Sequence, residues 1–196
     1  MKKQFLKITT SLFAVTLVLM IFSSCQKDNL TPSTDTSVEE SFKNNKPGEF
    51  SIAEIAIDAG FDSLVVALSY VDTELDAGLV DLFLNGTDQY TVFAPTNEAF
   101  AALLGNDTNA QIADLPAELV LDVLFYHVTD GRRASNSVVP KKNLRYIETL
   151  LGESFSVNPD KEITAVGNTA NIVAADISAS NGVIHVIDAV ILPIEL

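Results

Sequence analysis

Apolar positions recur at helical spacing in the first part of the folded chain and alternate in short runs in the second. Ser51-Ile52-Ala53-Glu54 has the pattern of a capping box, with apolar Ile52, Ile55, Ala56 and Ala59 behind it and Gly60 to stop the helix. Asp62 to Val71 is apolar on most faces and predicts a buried helix. Leu75, Leu79, Leu82 and Phe83 predict a third helix from about Glu74 to Leu84. Tyr90 to Ala94, β-branched and aromatic, predicts a strand halted by Pro95, and the Thr96 hydroxyl suits the start of a helix to Leu104. Pro116 fits the first turn of another helix running to about His127.

Beyond Asp130-Gly131 the texture becomes strand-like: Val138-Val139, Arg145 to Leu150, Ser154 to Val157, Ile163 to Val166, Asn171 to Ala175 and Val183 to Leu192. Gly152-Glu153, Asn158-Pro159, Gly167-Asn168 and Asn181-Gly182 separate these runs, the last being the strongest hairpin signal. Helices first and strands later predict an α+β fold, with helices packed on a mostly antiparallel sheet. No internal repeat interrupts residues 48–196, which read as one domain.

The first residues read as an address. Lys2, Lys3 and Lys7 precede an apolar run, Ile8 to Phe22, that ends in Ser23-Ser24-Cys25, as in a signal peptide spanning residues 1–24. The run is shorter than the roughly 20 residues that cross a bilayer. Phe22-Ser23-Ser24-Cys25 resembles a bacterial lipobox, with Phe22 where Leu is more usual, so Cys25 is the candidate site of lipidation and of membrane attachment. Residues 25–47 are polar and aperiodic, too poor in apolar surface to offset the entropy of ordering, and read as a lipid-anchored flexible tether reaching roughly 25 Å. Gln26-Lys27-Asp28 resembles signals that send lipoproteins to the outer membrane, facing the cell surface or the periplasm.

Charge narrows the partners. A formal charge of −14, more negative still once the three leader lysines are removed, opposes nucleic acid and anionic lipid except through a local basic patch. Arg132, Arg133, Lys141, Lys142 and Arg145 are the candidates for such a polyanion patch; the alternative is a solvated loop whose lysines guard an edge strand. His127 and His185 are the only histidines and lack zinc-type spacing, so they read as hydrogen-bonded residues at element edges, with no metal site. Asp176, Asp188 and Thr96 read as backbone caps. No Gly-x-Ser-x-Gly elbow or glycine-rich phosphate loop is found, so no catalytic residue and no cofactor is assigned.

Three blocks in order are similar to the fasciclin domain family: Thr91-Val92-Phe93-Ala94-Pro95-Thr96-Asn97-Glu98-Ala99-Phe100, then Leu124-Phe125-Tyr126-His127-Val128, then Ala179 to Asp188 closing with Val190-Ile191-Leu192-Pro193. The resemblance implies a wedge-shaped β-sandwich with several packed helices, mostly N-terminal in sequence. It also implies extracellular binding in place of catalysis, since fasciclin domains are widely associated with adhesion and matrix binding. In animal members the Tyr-His region and an Asp-Ile pair are implicated in integrin binding. The matching positions, Tyr126, His127, Asp176 and Ile177, become the candidate partner-binding residues. The expected function is a lipid-anchored surface module for adhesion or for binding an extracellular protein or glycan; the alternative is a periplasm-facing scaffolding lipoprotein.

Overall fold

A computed structural model describes residues 48–105 and 111–195. The expected signal peptide, Cys25 and the expected tether lie outside the described residues.

The first helix, α1 (Ile52–Asp58), begins with the expected capping box: the Ser51 N–H donates to the Glu54 carboxylate at 2.7 Å, and the Glu54 N–H donates to the Ser51 hydroxyl at 3.3 Å. The helix expected from Glu74 to Leu84 is instead divided. α2 (Asp62–Leu75) continues through Leu75, the backbone turns left-handed at Asp76 and Gly78, and α3 (Leu79–Asn85) starts afresh. The Asp72 carboxylate, on α2, accepts from the N–H groups of Leu79 and Val80 at 2.8 Å each, satisfying orphan donors at the start of α3. The rest of the helical part follows the sequence closely. β1 (Tyr90–Pro95) leads to α4 (Asn97–Leu103), capped by the Thr96 hydroxyl, and α5 (Ala117–Tyr126) lies between Pro116 and His127. A 3₁₀ turn at Ile112–Asp114 precedes α5.

The remaining elements are β2 (Val128–Asp130), a single-turn α6 (Ser135–Val138), β3 (Arg145–Glu148), β4 (Ser154–Val157), β5 (Glu162–Thr164), β6 (Thr169–Ala179) and β7 (Gly182–Ile187). Val138-Val139, expected as strand, ends α6 instead, because the chain there turns from β2 back towards β3. The strands form the ladder β2-β1-β7-β6-β5-β4-β3, antiparallel throughout except for the parallel pair β1–β7.

Long β6 belongs to both halves of this ladder, and its register slips twice, between Ile172 and Ala174 and between Ala174 and Ile177. Such irregularities bend a sheet. Here the ladder folds back so that Phe93 of β1 meets Phe155 of β4 edge-on, with ring centroids 5.0 Å apart. Its first and last strands also touch: the Leu150 N–H donates to the Val128 carbonyl at 2.8 Å, and the Thr129 hydroxyl donates to the Glu148 carbonyl at 2.6 Å. The expected sandwich architecture and the helical cover are both present. Alternate residues of the central strands divide between two cores. Val92, Ala94, Ile184 and Val186 face the helices, while Phe93 and Ile187 face Phe155 and Ile163 inside the sandwich. β7, covered on both sides, is buried at every residue, as a central strand of a parallel pair requires.

Asn181-Gly182 does mark the β6–β7 hairpin, for a different reason from the one the dipeptide implies. Ala179 pairs with Gly182, so the loop is Ser180-Asn181, and neither Asn181 nor Gly182 adopts positive φ. Gly182 is needed for close approach, since a Cβ there would lie 2.1 Å from the Tyr90 carbonyl oxygen. Asn181 is buried, accepting from the Ile52 N–H at 2.8 Å and donating to the Phe83 carbonyl at 2.9 Å. One side chain thus ties the hairpin tip to the start of α1 and to α3. Replacing Asn181 with Ala strands both partners, and the expected loss is about 2–4 kcal/mol in urea unfolding; a loss below about 0.5 kcal/mol would mean that the hairpin tip does not hold the helices.

Candidate functional site

α5 delivers Tyr126 and His127 inward. Tyr126 is 0 % exposed; its ring packs edge-on against Phe155 and its hydroxyl donates to the Ser154 carbonyl at 3.3 Å. Burial raises its phenolic pKa. His127 is 3 % exposed and closes α5. Its Nε2 accepts from the Ile191 N–H at 3.1 Å, so the proton is assigned to Nδ1, which lies 2.6 Å from the Val123 carbonyl. Burial pushes its pKa down to about 4 against the opposing Val123 hydrogen bond, which makes it a neutral strut between α5 and the C-terminal segment. Tyr126 and His127, the candidates for partner binding, are thus enclosed in the folded domain, with both side chains spent on the interior.

Asp176 and Ile177 sit at the irregularity of β6. Asp176 is exposed with φ 64, and its carboxylate accepts from the Ser135 N–H at 2.6 Å and from the Ser135 hydroxyl, capping α6 from across the sheet. Partial desolvation opposes its ionisation, but the Ser135 hydrogen bonds and the nearby His185 outweigh it and leave the pKa below its ordinary value. Ile177 is half-buried and packs partly against the helical core. The Asp176 N–H donates to Nδ1 of His185 at 3.3 Å, while His185 Nε2 reaches the Arg133 carbonyl at 2.9 Å. Burial lowers the His185 pKa too, offset in part by the Arg133 contact and by Asp176.

The segment after β2 is shaped by the same network. Buried Thr91 donates to the Gly131 carbonyl at 2.6 Å and accepts from the Arg133 N–H at 2.8 Å. Arg132 then reaches over the hairpin, donating to the carbonyls of Ala179 at 2.8 Å and Gly182 at 2.6 Å, to Gln89, and to the Ser178 hydroxyl. The guanidinium of Arg133 donates to the Asp130 carbonyl at 3.0 Å, and that of Arg145 donates to the Ser137 carbonyl. Lys141 and Lys142 are exposed on the loop before β3. The structure thus joins two of the expected sets, Arg132 and Arg133 with Asp176 and Ile177, around the hairpin and α6. It separates them from Tyr126 and His127.

Ser135, Asp176 and His185 gather here, yet not in the order nucleophilic catalysis needs. The hydroxyl donates to the carboxylate, and both imidazole nitrogens are held by backbone groups, so no base receives the serine proton. Among the described residues no group of three His, Cys, Asp or Glu side chains is placed to hold a metal.

Two functional supports escaped sequence reasoning besides Asn181. Asn97 accepts from the Ser63 N–H at 3.0 Å and donates to the Gly60 carbonyl at 2.9 Å, fixing the α1–α2 turn to the start of α4. Asn168 donates to the Val190 carbonyl at 2.7 Å and accepts from the Leu192 N–H at 3.0 Å. In a sequence, each asparagine signals only a turn or a cap; its long-range partners are invisible.

The fasciclin domain family profile matches residues 61–193. The chain belongs to the fasciclin domain family. It is 35% identical over 144 residues to protein sll1483 of Synechocystis sp., covering 73% of each chain. It is likewise 35% identical to transforming growth factor-beta-induced protein ig-h3 of Sus scrofa, over 69% of this chain and 18% of that one, and to immunogenic protein MPB70 of Mycobacterium bovis, over 59% and 54%. A solved FAS1 domain pair from the insect cell adhesion molecule fasciclin I is 20% identical with a TM-score of 0.47, covering 67% of this chain and 45% of that one. The chain therefore spans most of the Synechocystis relative, about half of MPB70, and a fifth or less of ig-h3.

The blocks that resemble the fasciclin signatures contribute the buried polar struts Thr91, His127, Asn181 and His185, and His127 gives the domain an acid signature. With the His127 pKa depressed, the unfolded chain binds protons that the folded domain refuses between pH about 4 and 6.5. The contribution is complete above pH 6.5 and is lost on acidification through that window, about 3 kcal/mol by pH 4. Urea unfolding across this range is expected to show the loss, with a smaller slope in His127→Gln. Equal slopes would contradict the neutral-strut assignment. The Asp188 carboxylate accepts from the Asn171 N–H at 2.6 Å and from its side-chain amide at 2.9 Å, so Asp188→Ala is expected to lower stability by about 1 kcal/mol or more.

Proposed function

We propose that this fasciclin domain is a lipid-anchored binding module of the cell envelope, carried on the outer surface and mediating adhesion through an extracellular protein or glycan. The observation that carries the reading is the meeting of Arg132, Arg133, Asp176 and Ile177 around one hairpin. That neighbourhood offers cations, a carboxylate and a half-buried apolar side chain, with Arg132, Arg133 and Asp176 fixed by hydrogen bonds to backbone groups and so preorganised for a partner. The leader, the lipobox-like Cys25 and the polar tether support a position outside the inner membrane. Family membership supports binding as the task.

Arg132 holds the hairpin, so its removal mixes stability with recognition. Arg133, whose side chain makes one local contact, and Lys141 and Lys142 are better probes. Protease shaving of intact cells is expected to remove the 48–196 domain while periplasmic markers survive. Shaved cells and cells carrying Arg133→Glu with Lys141→Glu and Lys142→Glu are expected to lose attachment to a glycan- or matrix-coated surface. If the partner is a polyanion, raising the salt through physiological ionic strength should collapse the interaction, and salt-independent binding would remove the basic residues from the account. Full protection from protease would instead favour the periplasm-facing scaffold.

A further inference from the structure

The helical layer holds a cavity that the adhesive reading does not use. It lies between α2, α4, α5 and the C-terminal segment, has a volume of about 120 Å³, and is lined by apolar side chains including Leu64, Phe100, Val120 and Leu124. Its mouth is bordered by half-buried Leu119 and exposed Ile194. The one lining residue with a polar side chain is His127, and both its ring nitrogens are already engaged, by the Val123 carbonyl and the Ile191 N–H. Among the described residues no buried side-chain nitrogen or oxygen lacks a partner. Water needs two to four polar partners to reside in a cavity, and apolar cavities of roughly 150 Å³ stay dry and take up benzene.

Charge restricts the occupant further. From Gly48 to Gly131 the chain has no lysine or arginine. Exposed Asp114, Glu118 and Asp122 immediately precede the lining residues Leu115, Leu119 and Val123. A carboxylate or phosphate headgroup would meet like charge from these three residues, and none of the helices that line the cavity carries a lysine or arginine to neutralise it.

We propose that this cavity is a binding site for a free, neutral hydrocarbon group, an aromatic ring or a short alkyl chain. It takes no polar group into its depth and it discriminates against anionic amphiphiles.

The test uses the mature chain with Cys25→Ser, titrated with toluene, hexan-1-ol and hexanoate at neutral pH and followed by amide NMR. Saturable shifts are expected from toluene and hexanol at Leu64, Phe100, Val120 and Leu124, with hexanoate at least about tenfold weaker. Leu119→Trp and, independently, Val123→Phe fill the mouth from half-buried positions. Either is expected to weaken toluene about tenfold or more while the unfolding midpoint is kept. The absence of saturable shifts, hexanoate binding as tightly as hexanol, or toluene affinity unchanged in a folded filling variant would each overturn the proposal. So would phosphatidylcholine vesicles that shift these amides when toluene does not, which would assign the opening to lipid tails.

Discussion

The parallel pairing of β1 with β7 sets the demands that the rest of the domain meets. Parallel neighbours cannot be joined by a tight turn, so nearly the whole of the chain from α4 to β6 is spent on the connection between them. Both strands lie inside the ladder, second and third in its order, with helices on one side and the folded-over sheet on the other. Loops that meet their ends are therefore drawn inside, and their backbone N–H and C=O groups must find partners there. Thr91, Asn97, His127, Asn181 and His185 supply those partners, each bridging elements far apart in sequence.

This constraint separates what identifies the domain from what it presents to a partner. A buried polar side chain with every hydrogen bond used is costly to replace, because its partners are left unsatisfied. The three signature blocks are rich in such residues. The exposed hairpin neighbourhood, by contrast, is held in place from behind: Thr91 and His185 grip the backbone of the loop that carries Arg132 and Arg133, and Asp176 caps α6. Side chains in front of that frame, such as Arg133, are free to vary in chemistry without loosening the fold.

Local signals in the sequence were legible where one turn of chain decides the outcome. The Ser51 capping box, the Thr96 cap, the Pro116 helix start and the β4 run from Ser154 to Val157 all stand where expected. Errors arose where a distant group intervenes. The break at Asp76 to Gly78 goes with Asp72 capping the next helix, and the helical turn that takes up Val138, where the chain reverses from β2 to β3, is capped by Asp176 of β6. The fold class followed from the order of helices and strands. The division of the candidate residues did not: Tyr126-His127 and Asp176-Ile177 are both short dipeptides marked out by the resemblance alone, and only packing shows that the first pair is enclosed. The hydrocarbon-lined cavity is likewise assembled from four separate segments, none of which departs from an ordinary amphipathic pattern.

The central claim is that a few buried or half-buried polar side chains lock the helices to one another and to the strands they cover, and native-state hydrogen exchange addresses it amide by amide. The N–H groups of Ile52, Ser63 and Ile191 donate to Asn181, Asn97 and His127 respectively. If the account holds, all three exchange only through global unfolding, with free energies that match the urea-derived stability and fall together with it. Exchange of these amides through low-energy local openings, while the β1 and β7 amides stay protected, would show that the helical layer frays independently and that these side chains are not its locks.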